Sequence, residues 1–145
     1  MSACTFFGHS DYYRLDEGVL RCTIEDLIAQ GVDTFYVGNN GNFDRAVFSC
    51  LMKLKDIYPH ISFAVILAYL PIQKSEYDLC HGYSMYPEGI EFGPPRFAID
   101  RRNRWMIEKA DYCLCFVNHT WGGAYKYAKQ AKKKLTVINL GDMEL

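Results

Sequence analysis

No run of apolar residues in this 145-residue sequence approaches the roughly 20 that a membrane-spanning helix requires. The stretch from Met1 to Phe7 is too short for a signal peptide. Neither charge is in excess: 16 Lys and Arg stand against 17 Asp and Glu, a formal net charge of -1. A general nucleic-acid binder carries a basic surplus to meet phosphates, so nucleic acid is not an expected partner. No Cys-x-x-Cys pair occurs, which argues against a zinc site, and neither a metal nor a cofactor is expected. The six cysteines stand at 4, 22, 50, 80, 113 and 115. Cys4, Cys113 and Cys115 fall in apolar strand-like runs and Cys22 and Cys50 in helical patterns, as small buried hydrophobes do in a reducing compartment. Repeats, low-complexity tracts and linkers are missing too. The expectation is a soluble, cytoplasmic, single-domain protein with no membrane partner.

What is present is an alternation of strand and helix patterns. Ala3 to Phe7 reads as a short buried strand, and Val19 to Gln30 places Leu20, Ile24, Leu27 and Ile28 on one helical face that ends at Gly31. Thr34 to Val37 is a second strand, followed by a glycine-asparagine loop and a helix with Phe43, Val47, Leu51 and Leu54 at helical spacing. Ile61 to Tyr69 is continuously apolar, which suits a strand covered on both faces of a parallel sheet. From Leu70 to Arg96 the pattern gives way to prolines, glycines and tyrosines, and connections this long are often functional. Helix resumes over Ala98 to Ala110, strand over Tyr112 to Val117, helix over Gly123 to Lys133 and strand over Leu135 to Leu140. Five strands and four helices in alternation predict an α/β fold: a Rossmann-like three-layer sandwich with a five-stranded parallel sheet. Its ligand crevice is expected beyond the carboxyl ends of the strands.

The residues just after each strand therefore gather on one rim: Gly8 and His9; Gly38, Asn39, Asn40 and Gly41; Tyr69 to Pro71; and Asn118 to Gly123. Gly122 and Gly123 open a lysine-rich helix, where free N–H groups and the helix dipole suit a phosphate or carboxylate, although glycine pairs also serve plain turns. His9 and His119 are expected to face the same crevice, as ligand contacts or as loop caps. Three arginines, Arg101, Arg102 and Arg104, cover much of one helix, so at least one turns toward the sheet or its rim, where its planar fork suits phosphate. The alternative is a solvated face with Asp100 and Glu108 as partners. Glu88, Glu91 and Asp44 are the carboxylates available for acid-base or nucleophilic work, with loop support as the simpler role. For Asp44 that simpler role is electrostatic support of a helix start. The Lys132 to Lys134 run offsets the dipole at a helix end.

On these residues the chain resembles the SLOG superfamily of Rossmann-like nucleotide-binding proteins, which includes the LOG phosphoribohydrolases, the DprA family and the YpsA-like proteins. It is most similar to small bacterial and prophage members. The likeness runs through Phe6-Phe7-Gly8-His9, Phe35-Tyr36-Val37-Gly38, Gly41-Asn42-Phe43-Asp44, Tyr86-Pro87-Glu88-Gly89, Arg102 to Ile107 and Trp121-Gly122-Gly123-Ala124. In the LOG enzymes an Arg-Lys-x-x-Met helix and a Pro-Gly-Gly-x-Gly-Thr-x-x-Glu turn form the nucleotide site. Arg102 and Met106 match the first motif. Of the second only Gly122-Gly123 remains: Tyr125 and Lys126 replace the Gly-Thr pair, and Lys129 stands in place of the glutamate. A lysine cannot stabilise a developing oxocarbenium ion as that carboxylate does.

The resemblance and the cradle together lead to a protein that binds a nucleotide or nucleotide-derived signal, as a sensor or sequestering protein. The expected contacts are Gly8, His9, Gly38, Asn39, Asn40, Gly41, Asp44, Arg102, Asn103, His119, Trp121, Gly122 and Gly123. Phosphate is expected on Gly122-Gly123 and the Gly38 to Asn42 loop, with Arg102 paired to it, a base on Trp121 or a tyrosine, and Tyr86 to Glu91 as a lid. The alternative is an N-glycosidase or nucleoside deoxyribosyltransferase-like enzyme using Glu88, Glu91 or Asp44. A third reading, a DprA-like single-strand DNA binder, needs aromatics amid a basic groove, and the net charge and the short chain count against it. Family members often self-associate, which implies a homodimer or higher homo-oligomer.

Overall fold

The computed structural model describes residues 2–9, 16–68, 84–87 and 93–145. Six parallel strands form one sheet: β1 (Ala3–Gly8), β2 (Thr34–Val37), β3 (Ser62–Ile66), β4 (Ser84–Met85), β5 (Tyr112–Phe116) and β6 (Thr136–Asn139). Their spatial order is β4-β3-β2-β1-β5-β6, so the direction of progression reverses between β1 and β5. Four helices are described: α1 (Glu17–Ala29), α2 (Asn42–Ile57), α3 (Ala98–Lys109) and α4 (Gly123–Lys132), with a 3-10 turn at Pro95–Phe97 leading into α3.

The sheet exceeds the sequence expectation by one strand. β4 has two residues, paired as Val65↔Ser84 and Ile66↔Met85, and two residues are too few to show the alternation that marks a strand. At the other end of the scale, β3 stops at Ile66, short of the apolar run that suggested it; Leu67 still donates its N–H to Met85 O at 2.9 Å. The helix α1 begins two residues before the apolar pattern because Asp16 caps it, Oδ1 accepting from Gly18 N at 2.9 Å and Val19 N at 3.3 Å.

Strand alternation sends successive residues to opposite faces, and both faces are covered. On one, Cys4, Phe6, Phe35 and Leu114 pack under the apolar stripes of α1 and α2. On the other, Phe7, Cys113, Cys115 and Val117 pack under Met106 and Ile107 of α3 and Tyr127, Ala128 and Ala131 of α4. Small alanines on α4 let that helix lie close to β1 and β5, which carries its N-terminus to the reversal point. Of the cysteines, Cys4, Cys113 and Cys115 are buried, but Cys22 is exposed on the outer face of α1. Among the described residues no helix is long and apolar enough to cross a membrane.

Candidate functional site

A cleft of about 400 Å³ opens at the carboxyl ends of β1, β2 and β5. This is where an open parallel sheet leaves a crevice, because the helices that follow β1 and β5 pack on opposite faces of the sheet. Gly8 and His9 enter it from the end of β1; Gly38 and Asn40 from the β2–α2 connection and Asp44 from the first turn of α2; Ile99, Arg102, Asn103 and Met106 from α3; and His119, Trp121 and Gly122 from the β5–α4 connection, with Gly123 opening α4.

Two helices point their N-termini at this rim, and both have a glycine cap at positive φ: Gly41 at 98° for α2 and Gly122 at 90° for α4. Neither cap supplies a side-chain acceptor. The two ends differ in charge. In α2 the first turn carries Asp44, whose Oδ2 accepts from Asn40 N at 2.9 Å, so a carboxylate already faces that positive pole. The first turn of α4 has no acidic residue of its own to face that pole. Of the two loops expected to meet phosphate, the Gly38 to Asn42 loop leads into a helix whose first turn carries a carboxylate and the Gly122-Gly123 end into one whose first turn carries none. Burial pushes the Asp44 carboxyl up to about 6, against the pull of the Asn40 N–H and the Arg102 guanidinium.

The three arginines of α3 separate. Arg104 is exposed and pairs with Asp100 at 2.9 Å, and Arg101 Nη1 donates to Pro94 O at 3.0 Å. Arg102 alone turns under the rim, 3% exposed. Its Nη1 donates to Asn39 Oδ1 at 2.9 Å and to Ile66 O at 3.4 Å, and its Nε donates to Asn103 Oδ1 at 3.0 Å. The polar chain continues from Asn103 to the Tyr127 hydroxyl, which donates to Asp100 Oδ1 at 2.6 Å. Burial and that carboxylate push the Tyr127 phenol up to about 12. Asn39 and Gly41 do not line the cleft: Asn39 is exposed and accepts from Arg102, and Gly41 caps α2.

The glycines of the rim serve close packing more than ligand approach. A Cβ on Gly38 would lie 2.9 Å from Asp44 Oδ2 and 3.3 Å from Arg102 Cζ, and one on Gly8 would lie 2.1 Å from Phe43 Cγ. Gly122 has open space around it and needs glycine for its φ alone.

His9 and His119 do meet. Their rings stack with centroids 3.5 Å apart at 13°, and Trp121 stacks on the other ring partner, His119, at 3.8 Å and 20°. The Asn118 N–H donates to His9 Nε2 at 3.2 Å, so His9 carries its proton on Nδ1. Nδ1 of His119 is buried and has no hydrogen-bond partner among the described residues. Trp121 is 68% exposed.

Sequence reasoning passed over Tyr127, Phe7 and Ile99 as cleft residues, and named Met106 only through the resemblance. The Gly123 to Tyr127 spacing of one helical turn was the available signal for Tyr127. Glu88, Glu91 and Tyr69 to Pro71 lie outside the described residues. Tyr86, the first residue of the expected lid, packs against the α1 and α2 core. Among the described residues no group of three or more His, Cys, Asp or Glu side chains is arranged to hold a metal ion. No protein-family model matches the chain, and a search of curated proteins finds no match.

Proposed function

We propose that the protein binds a nucleotide or nucleotide-derived signalling molecule in this cleft, as a sensor or a sequestering protein. One juxtaposition carries the reading. The α4 N-terminus, whose first turn carries no acidic residue, lines the same cleft as His119 with its buried Nδ1, and the same connection presents the exposed indole of Trp121. An anion pole and an aromatic surface within one cleft suit a ligand with a phosphoryl group at one end and a planar base at the other. Asp44, turned to the same cleft, is an acceptor for ligand hydroxyls.

The test is retention of compounds from a panel of mono-, di- and cyclic nucleotides, NAD and ADP-ribose species, with bound and free pools analysed by mass spectrometry. An intact compound held by the wild type and lost in Trp121→Leu supports binding. Failure of every compound to be retained or altered removes the nucleotide reading.

A second reading, an N-glycosidase or deoxyribosyltransferase-like enzyme, has one observation in its favour: Asp44 faces the cleft with its carboxyl pushed up to about 6. That is the range for a carboxyl that exchanges protons near neutrality. Free base accumulating with time, and abolished in Asp44→Asn without loss of binding, would establish it.

A further inference from the structure

The β5–α4 connection that carries His119, Trp121 and Gly122 starts from Val117, and Val117 is held by a side chain far along the sequence. Asn139, the last residue of β6, is in register with Cys115 on β5. Its side chain reaches two residues further, beyond the end of β5. Oδ1 accepts from Val117 N at 2.9 Å and Nδ2 donates to Val117 O at 3.0 Å, so the amide pairs with Val117 as a peptide group of a neighbouring strand would. The same oxygen accepts from Gly141 N at 2.9 Å and the same nitrogen donates to Met143 O at 2.8 Å. Two acceptor sites and two donors are the full capacity of an asparagine amide, and all are used.

The clamp is tight on its far side as well. A Cβ on Gly141 would lie 2.2 Å from Val117 O, so only glycine lets the chain cross the end of β5 this closely. Beyond it, Met143 and Leu145 pack against the α3 and α4 core, and Lys132 Nζ donates to Leu145 O. The residue after Val117 is Asn118, whose N–H is fixed on His9 Nε2. The connection is thus pinned at two successive residues, by Asn139 from one side and His9 from the other.

We propose that Asn139 is a positioning residue for the ligand site: by extending the β ladder past β5 it sets the direction in which the connection leaves the sheet. It thereby places the His9–His119–Trp121 stack and the α4 N-terminus in register with the cleft. The relevance to ligand binding rests on the reading that this cleft is the ligand site; the effect on the connection does not. Glutamine has the same groups on a longer stem and aspartate lacks the donor, so neither reproduces the four bonds.

The experiment uses proton NMR of the histidine rings in the ligand-free protein. The indole face 3.8 Å away shifts the ring protons of His119 upfield, and Trp121→Leu identifies those signals by abolishing the shift. Asn139→Ala and the milder Asn139→Ser are expected to collapse the shift toward its Trp121→Leu value, while His60, at the far end of α2, keeps its signals. Ile28→Ala, a core truncation in α1, serves as a control of comparable stability loss and is expected to retain the shift. An unchanged His119 shift in either folded Asn139 variant overturns the proposal, as does its loss in Ile28→Ala. Titration with inorganic phosphate then follows the Gly123 and Ala124 amides. No response in the wild type would count against the nucleotide reading while leaving the ring signals to decide the role of Asn139.

Discussion

The imidazoles of His9 and His119 lie face to face with centroids 3.5 Å apart, each just past the end of its own strand. The contact follows from sheet order. Because β1 and β5 are neighbours in register, Gly8 opposite Phe116, the residues leaving both strands emerge side by side. The stacked indole of Trp121 follows from that placement, and so does the position of the α4 N-terminus.

Trp121→Leu should therefore separate binding from stability. The indole is 68% exposed, so its loss should leave unfolding free energy within about 0.5 kcal/mol of wild type. A base stacked on an aromatic side chain is worth about 1–3 kcal/mol, which corresponds to weaker binding by about 5- to 150-fold. Calorimetric titration with the retained nucleotide, alongside a urea melt, measures both.

Asp44 predicts a pH dependence of stability. Its carboxyl is pushed up to about 6 in the fold, against 3.8 for a free one, so between those values the folded chain holds a proton that the unfolded chain has released. Stability from this group therefore falls as pH rises from about 4 to 6, and the full penalty, up to about 3 kcal/mol, is present above pH 6. Asp44→Asn should remove that component. The check is urea unfolding of both proteins at pH 4.5 and pH 7.5: the wild type should lose more stability across the interval than the variant does.

Arg102→Ala should be costly to the fold before it says anything about ligand. The guanidinium is 3% exposed and serves Asn39, Ile66 O and Asn103 at once, while offsetting the charge of Asp44. Removing the cation leaves the buried Asp44 carboxylate without its counter-charge, for which about 3–5 kcal/mol is typical. The Asp44 carboxyl should rise further in the variant. Carbon-13 NMR of the Asp44 carboxyl against pH in Arg102→Lys, which keeps the charge, and in Arg102→Gln, which does not, resolves that rise.

Local patterns in the sequence reach most of the fold and part of the site. The stripes Leu20-Ile24-Leu27-Ile28 and Phe43-Val47-Leu51-Leu54 are buried as their spacing implies, because helix amphipathicity is set by residues one turn apart. His9 and His119 were legible as cleft partners once the strand order was assumed. Asn139 was not, since an amide acting across two strands leaves no mark on its neighbours in sequence. The asymmetry of the two helix ends was visible in part: the sequence offered Asp44 as support for the start of one helix, and the bond that its carboxylate accepts from Asn40 N appears only in the fold. Gly8 and Gly38 illustrate a third limit: a glycine marks a close approach without naming what approaches.

For Gly8 that partner is Phe43, and the pair gives a last prediction. A methyl at Gly8 would sit 2.1 Å from Phe43 Cγ and 2.3 Å from its Cδ2, against a ring that is itself fully buried. Gly8→Ala must push the ring or the β1 backbone aside, an overpacking that typically costs about 1–3 kcal/mol. Phe43→Ala removes the ring at a cost of about 3–5 kcal/mol, but it also opens space for the new methyl. The two changes should fail to add, the double variant being more stable than their sum predicts by about 0.5–3 kcal/mol. Gly122→Ala contrasts with this. Its neighbours leave room, its φ of 90° is what an alanine resists, and no second substitution at a contact should recover the loss. Chemical denaturation of the two single variants, the double variant and Gly122→Ala distinguishes steric from conformational demand at these two rim glycines.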